Sequence, residues 1–423
     1  MSDRIKALDG LRGFAALVVV CHHALLLNPV LAGPYTDPDA RPSGVDWWLL
    51  YTPLHTIWNG AGAVWVFFVL SGYVLALPVA AGKHLRWASY YPRRLVRLYL
   101  PVWAAVAFAV TVRYAIPVHA VPGGSWWFTR RAAPSWPGAF QDVILLGPAG
   151  MVVGVLWSLR WEVWFSLLLP LFVLAGARTR RFPGWLLLAA LIGVNAVPIS
   201  GTKGDALNFL PMFACGVALA FHRPHVPDWA GACGLVVING PWLILAVQPH
   251  LGRAEQGAGR GAALLGATLL VGWAAGRQSG VLTWRVAGWL GSRSFSLYLV
   301  HDPILVTAGL LLNRPWWVGS LAAVPVSLAA AEVFWRLVER PSTRLAKTRL
   351  SRWSRPSGLL GGEHGRRDDL RRRTTQVGRE VDGDLLAATG VEVQGAEHVR
   401  RGDVVEDARR RDDLSGVTGS DSL

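Results

Sequence analysis

Apolar residues in this chain come in long blocks separated by short polar stretches. The blocks fall near 11–31, 60–82, 95–116, 152–175, 184–200, 206–222, 230–248, 261–276, 292–313 and 316–338. Most approach the roughly 20 residues that a helix needs to cross a bilayer's hydrocarbon core. Unbroken blocks of this length predict helices, whereas strands would show a period-two alternation. The expected fold class is therefore all-α, a polytopic transmembrane helical bundle of about ten spans. The weakest blocks are 230–248 and 261–276, which are short or interrupted by Gly and Pro.

The polar stretches set the orientation. An even number of spans puts both termini on one side, and basic residues mark the cytoplasmic loops. With the N-terminus inside, the short inner loops hold Lys83, Arg86, Arg93 and Arg94, then Arg178, Arg180 and Arg181, then Arg223, Arg277 and Arg285. The longer outer loops are sparser, holding Arg41, Arg130, Arg131, Lys203, Arg253, Arg260 and Arg314. Both termini are expected to be cytoplasmic, in a multi-pass protein of the cytoplasmic (inner) membrane. Apolar blocks stop by about residue 345, which divides the chain into a membrane domain, 1–345, and a tail, 346–423. From Gly361 onward the tail mixes Arg, Asp and Gly with no Phe, Trp or Tyr. Such a segment lacks the apolar surface to offset its ordering entropy, so disorder is expected.

Composition agrees. Of 423 residues, 52% are hydrophobic and only 16% charged, where a soluble domain carries about 25% charged residues. The net charge of +15 is accounted for by inner loops and tail facing anionic lipid, so no nucleic-acid partner is implied. Cys21, Cys215 and Cys233 lie in apolar blocks without disulfide or metal-ligand spacing, and no metal site is expected. The first block carries no cleavable-signal pattern and is expected to remain as a helix. The absence of a visible internal repeat weighs against an inverted-repeat transporter.

Ionisable groups inside apolar blocks are expensive and mark function by default. Four stretches stand out. "RIKALDGLRGFAALVVVCHHALLLNP" places Arg12 and His23 eleven residues apart. In a helix that separation leaves them on one face, about 20° apart and roughly 16 Å along the axis. His22 points about 100° away. "SYYPRRLVRLYLP" puts Arg94 and Arg97 on neighbouring turns of one face, near a helix start, where guanidinium forks suit phosphate oxygens. Positive-inside snorkelling is the structural alternative for that pair. "LWSLRWEVWFSLLLP" buries Arg160 and Glu162, for which a structural ion pair and a proton-handling role both stand open. "GSRSFSLYLVHDPIL" carries His301. Counted from the block edges, His23, Glu162 and His301 reach a similar mid-membrane depth on three helices. That convergence points to an active site or a proton path. The loops 32–58 and 117–150 are long enough to cap an outward cavity. Their Trp residues suit interfacial anchoring or stacking on sugar rings.

With these residues the chain resembles the membrane-bound acyltransferase family 3, whose members O-acylate bacterial glycans, lipopolysaccharide, peptidoglycan and macrolides. The resemblance covers roughly residues 4–343 and rests on "LDGLRGFAALVVVCHH", "FFVLSGYVLA", "RRLVRLYLP", "WSLRWEVWFSLLLPL", "FSLYLVHDPI" and "VERP", in that order. The family's basic-residue–ten–His pattern falls on Arg12 and His23, its paired arginines on Arg94 and Arg97, its buried Glu on Glu162, and its Tyr-Leu-x-His on Tyr298 and His301. Several members carry a further hydrolase-like domain. No Ser–His–Asp spacing for one occurs in 346–423, so the membrane domain or a separate partner is expected to complete transfer.

The resemblance implies an enzyme that moves an acyl group, acetyl by expectation, from cytoplasmic acyl-coenzyme A to an acceptor hydroxyl. Arg94, Arg97 and Arg12 would hold the donor's phosphates. His23 would be the general base, with a transient acyl-His left open. Glu162 would orient His23 or manage its proton, and His301 would be a second acid/base or an acceptor ligand. A glycan, lipid-linked saccharide or macrolide would be the acceptor. "ERP" at 339–341 is expected to stop a helix. The competing function is a proton-coupled secondary transporter or flippase with His23, Glu162 and His301 as its relay. It leaves the paired arginines unexplained.

Overall fold

The computed structural model describes residues 5–37, 39–116, 121–129, 135–197, 202–247, 253–312 and 315–348. The expected disordered tail falls outside the described residues beyond Thr348. Every regular element among the described residues is helical. In chain order these are α1 (Lys6–Leu25), the short α2 (Pro29–Ala32) and α3 (Gly44–Tyr51), α4 (Gly60–Ala80) and α5 (Trp87–Ala115). The short α6 (Trp126–Thr129) and α7 (Trp136–Ile144) precede α8 (Leu156–Thr179), α9 (Gly184–Ala196) and α10 (Thr202–His222). Then follow α11 (Ala230–Val237), α12 (Gly240–Val247), α13 (Arg253–Ala275), α14 (Arg285–Leu311), α15 (Trp316–Phe334) and α16 (Arg340–Thr348).

Among the described residues, seven helical stretches are long and apolar enough to cross a membrane: α1, α4, α5, α8, Gln256–Ala275 of α13, α14, and the continuous Trp316–Lys347. Gly184–Ala196 and Ala206–His222 are shorter apolar helices. Their outward surfaces are apolar: Leu171 on α8 and Leu321 and Leu337 on the last stretch are largely exposed. Lipid, not water, suits such faces.

Several boundaries differ from the sequence reading, each for a local reason. The block 230–248 is two eight-residue helices. Asn239 sits at their junction, donating to the Leu235 carbonyl (2.7 Å) and to Thr56 Oγ1 (2.8 Å), while Asn59 Nδ2 donates to its Oδ1 (2.9 Å). Gly240 and Pro241 follow, and proline removes a helical donor. The block 11–31 likewise ends its helix at Leu25, because Asn28 caps α2 by accepting from the Val30 amide at 2.9 Å, with Pro29 at the first position. His23 therefore sits at the end of α1, not at its middle. α5 begins at Trp87, so Arg94 and Arg97 lie inside the helix. "ERP" does not stop its helix: Trp335–Glu339 form a π-helical turn and α16 continues. Single π turns often mark functional sites.

Two seams of small residues bring helices together. α1 and α14 run parallel: a Cβ on Gly13 would lie 2.5 Å from the Gly291 amide, and one on Gly291 would lie 2.1 Å from the Asp9 carbonyl. α4 and α10 run antiparallel, with Gly72 against the Phe213 carbonyl and Gly216 against the Val69 carbonyl. Small residues let backbones approach where lipid offers no hydrophobic drive for association.

The last non-helical residues before α8, Val152–Val155, are buried, so their amides need acceptors. Asp142, fully buried on α7, supplies them. Its Oδ1 accepts from Gly150 (2.6 Å) and Met151 (3.0 Å), and its Oδ2 from Val152 (2.8 Å) and Val153 (3.0 Å). Asp302 of α14 accepts from Gly154 at 2.9 Å. Two carboxylates thus fix where α8 begins, and with it Ser158 and Glu162.

Candidate active site

α1, α4, α5, α8 and α14 surround a cavity of about 90 Å³ lined by Arg12, Ser71, Arg94, Arg97, Ser158, Glu162 and Tyr298, with Phe67, Phe68 and Leu98 among its apolar walls. Arg12, Arg94 and Arg97, three cations from two helices, converge there, the last two on one face of α5 as their spacing requires. Arg94 is engaged: its Nη2 donates to Glu162 Oε1 at 2.5 Å and its Nε to Ser166 Oγ at 3.1 Å. Ser71 Oγ also donates to Glu162 Oε1, at 3.0 Å. Glu162 is therefore paired with Arg94 and Ser71, and the hydrogen bonds described for it include none to His23. Arg97 presents an accessible guanidinium.

One residue of the "ERP" stretch belongs near this group. Glu339 is buried and accepts from the Ser296 amide (3.1 Å) and hydroxyl (2.5 Å). Its carboxylate acts electrostatically on Arg97, as Arg12 and Glu162 also do. The π turn delivers it there, and the sequence, read as a helix stop, concealed it.

Tyr298 links this cavity to the histidines. Its hydroxyl lies 2.6 Å from Ser158 Oγ and 3.2 Å from the Val155 carbonyl, and its ring is 6.0 Å from that of His301, one turn further along α14. His301 is fully buried. Its Nδ1–H donates to the Leu297 carbonyl at 2.8 Å, and its Nε2 is 2.9 Å from His23 Nδ1. With both rings neutral, the first bond fixes the tautomer: His301 Nε2 accepts and His23 Nδ1 donates. His23 then carries its lone pair on Nε2, the arrangement a general base requires. The two imidazoles stack at 5.1 Å and 11°, and Trp127 stacks on His23 at 4.8 Å and 23°.

Trp127 was not singled out by sequence. It stands in "PGGSWWFTRR" as one Trp among 22, where interfacial anchoring and stacking on a sugar ring are the two expectations for the loop's Trp residues. It is instead 2% exposed beneath the His23 ring. Its neighbour Trp126 ties α6 to the end of α2 by donating to the Ala32 carbonyl at 2.7 Å. His22 faces elsewhere, as its spacing predicts, with Nδ1–H donating to the Trp58 carbonyl at 3.0 Å. Arg160 is turned to the Gly147 carbonyl and the Trp161 ring. Geometry thus makes two groups, His23 with His301 and Glu162 with Arg94, where depth counting had suggested one.

Residues 5–336 match a protein-family model described as an acyltransferase domain. The chain belongs to acyltransferase family 3. Stretches on which the sequence resemblance rests supply residues of the cavity and of the histidine pair. The chain is 24% identical over 394 residues to YrhL of Bacillus subtilis (strain 168), covering 80% of this chain and 54% of the relative. It is 25% identical over 392 residues to the peptidoglycan O-acetyltransferase OatA of Listeria monocytogenes, covering 80% and 55%. It is 26% identical over 389 residues to the acyltransferase MdmB of Streptomyces mycarofaciens, covering 81% and 92%. The chain spans about half the length of YrhL and OatA. No solved structure matches it.

Proposed function

We propose that this family-3 protein is an integral-membrane O-acyltransferase of the cytoplasmic membrane, taking an acyl group, acetyl in the first instance, from acyl-coenzyme A to a hydroxyl of a glycan acceptor. The observation that carries the reading is one line of residues. It runs from Arg12 and Arg97 through the cavity to Tyr298, then one helical turn to His301 and His23. The cavity's volume suits the acyl end of a thioester, and the accessible guanidinium of Arg97 beside Arg12 suits the donor's phosphates. The arginine end of α1 is the cytoplasmic end on this reading.

In the reaction, His23 Nε2 takes the proton of the acceptor hydroxyl as the oxygen attacks the thioester carbonyl. The carbon–sulfur bond breaks, an ester forms, and the proton passes to the departing thiolate. His301 Nε2 holds His23 Nδ1–H throughout and orients the imidazolium as it forms. Arg94 and Glu162 neutralise each other and set the cavity wall. The name of the Listeria relative, a peptidoglycan O-acetyltransferase, supports a glycan hydroxyl as acceptor.

The test is purified protein given acetyl-coenzyme A with and without a peptidoglycan-derived oligosaccharide. Release of free thiol, with acetyl ester on the sugar, is the expected result. A protein that leaves the thioester intact while moving protons across vesicles would be the transporter instead.

A further inference from the structure

The end of α1 away from Arg12 carries a second cluster that the transfer chemistry does not use. His22, Tyr35, His55, Trp58 and Trp242 form a box of rings. His22 lies 5.3 Å from Tyr35 and 5.7 Å from Trp58, His55 4.4 Å from Trp58 and 4.9 Å from Trp242, and Tyr35 4.8 Å from Trp242. The members come from α1, the turn after α2, the segment before α4, and α12. The His22 wall is 5.3 Å from the ring of His23.

Two buried polar groups of the box, Tyr35 Oη and the His55 imidazole, make no hydrogen bond of ordinary geometry among the described residues. His55 is fully buried. The Leu49 carbonyl, which accepts from the Trp58 indole N–H at 2.9 Å, also acts on one His55 nitrogen, so the other nitrogen and Tyr35 Oη are left without a partner among the described residues. Unsatisfied buried polar atoms destabilise a fold, so two such groups in one box of aromatic rings call for a ligand. The chemistry of that ligand follows from the walls. Indole and phenol faces pack against the C–H face of a pyranose, while a phenol and an imidazole bond its hydroxyls.

The box is closed ring against ring, yet one wall has room to move. Trp242 is partly exposed and also lines a cavity of about 240 Å³ with Asn59, Trp65, Ile238 and Leu245. Its helix, α12, is eight residues long. Rotation of the indole into that cavity opens the box.

We propose that this box is the sugar subsite of the acceptor: it stacks one pyranose ring on its indole walls, bonds its hydroxyls through Tyr35 Oη and His55, and presents a neighbouring hydroxyl to His23. The role of His23 rests on the acyl-transfer reading above; the binding of sugar does not.

The experiment keeps the two apart by measuring binding without donor. Radiolabelled N-acetylglucosaminyl-N-acetylmuramic acid is dialysed to equilibrium against the full-length protein in detergent. Tyr35→Phe removes an oxygen without a hydrogen-bond partner among the described residues, so its melting temperature should stay level or rise. Its affinity for the disaccharide should fall about three- to tenfold, the loss expected for one neutral hydrogen bond. His55→Phe should weaken binding at least as much. Should that variant fail to fold, Tyr35→Phe decides alone. Unchanged affinity in a folded Tyr35→Phe protein, or wild-type protein that takes up no disaccharide, overturns the subsite. Wild-type binding that Tyr35→Phe weakens, in a protein that never cleaves acetyl-coenzyme A, upholds the subsite and removes the donor reading instead.

Discussion

His23 Nδ1 and His301 Nε2 lie 2.9 Å apart, although 278 positions of the chain separate them. Their contact depends on the parallel approach of α1 and α14 two to three turns earlier, where Gly13 and Gly291 leave no room for a Cβ. Gly291→Ala would put a methyl against the Asp9 carbonyl backbone, which cannot give way as a side-chain tip can. Overpacking of this kind costs about 1–3 kcal/mol. The variant should melt earlier in detergent and lose transfer activity beyond its loss of folded protein. Full activity at wild-type stability would show that the helices part without disturbing the histidines.

In the proposed reaction His301 acts through His23, so its side chain matters as an acceptor. His301→Leu removes the acceptor and should lower kcat about 100-fold, at the low end of what a positioned acid–base group contributes, with the KM for donor unchanged. His301→Gln keeps an oxygen able to accept from His23 Nδ1–H and should recover part of that loss. Equal kcat for the Leu and Gln variants would reduce His301 to packing. His23→Ala should remove transfer altogether while leaving membrane insertion intact.

The helical part of the fold was legible because apolar blocks of membrane length have few alternatives, and so was the shared face of Arg12 and His23. The common level of His23 and His301 was legible, since the two rings meet at 2.9 Å. Where His23 sits along its helix was not, because "LLLNP" continues the apolar block while Asn28 and Pro29 end the helix and start another. An ion pair for Glu162 was one of the two readings left open, but its partners were not legible. Depth narrows candidates to a layer, but Ser71 and Arg94 meet Glu162 through rotations of α4, α5 and α8 that no spacing within one helix encodes. Trp127 and Glu339 carried no periodic signal, because one sits on a four-residue helix and the other on a π turn.

The Arg94–Glu162 pair predicts a coupling. Its side chains are 12% and 25% exposed, so removing one partner strands a mostly desolvated charge. Glu162→Ala should cost about 1–3 kcal/mol of stability, below the full penalty of a wholly buried pair, and should raise the KM for acetyl-coenzyme A by displacing Arg94 in the cavity wall. The double variant Glu162→Ala with Arg94→Ala should be less damaged than the two single losses combined. Strict additivity in stability and KM would mean that the two residues act separately.

The last prediction concerns acid. His55 lies between spans, and burial, reinforced by nearby His22, pushes its pKa from the ordinary 6.5 down to about 3. The folded state therefore keeps this imidazole neutral while the unfolded chain protonates it. Between pH 6.5 and about 3 the unfolded state binds the extra proton, so the contribution of His55 to stability declines as pH falls through that window and is level above it. Melting temperature in detergent should fall below pH 6.5. Other groups titrate in the same range, so the difference between wild type and His55→Phe isolates this one. The variant should lose less stability between pH 7 and pH 4.5 than wild type does. Parallel melting curves for the two proteins across that interval would show that His55 already accepts a proton in the folded state, and that the box around it is open to water.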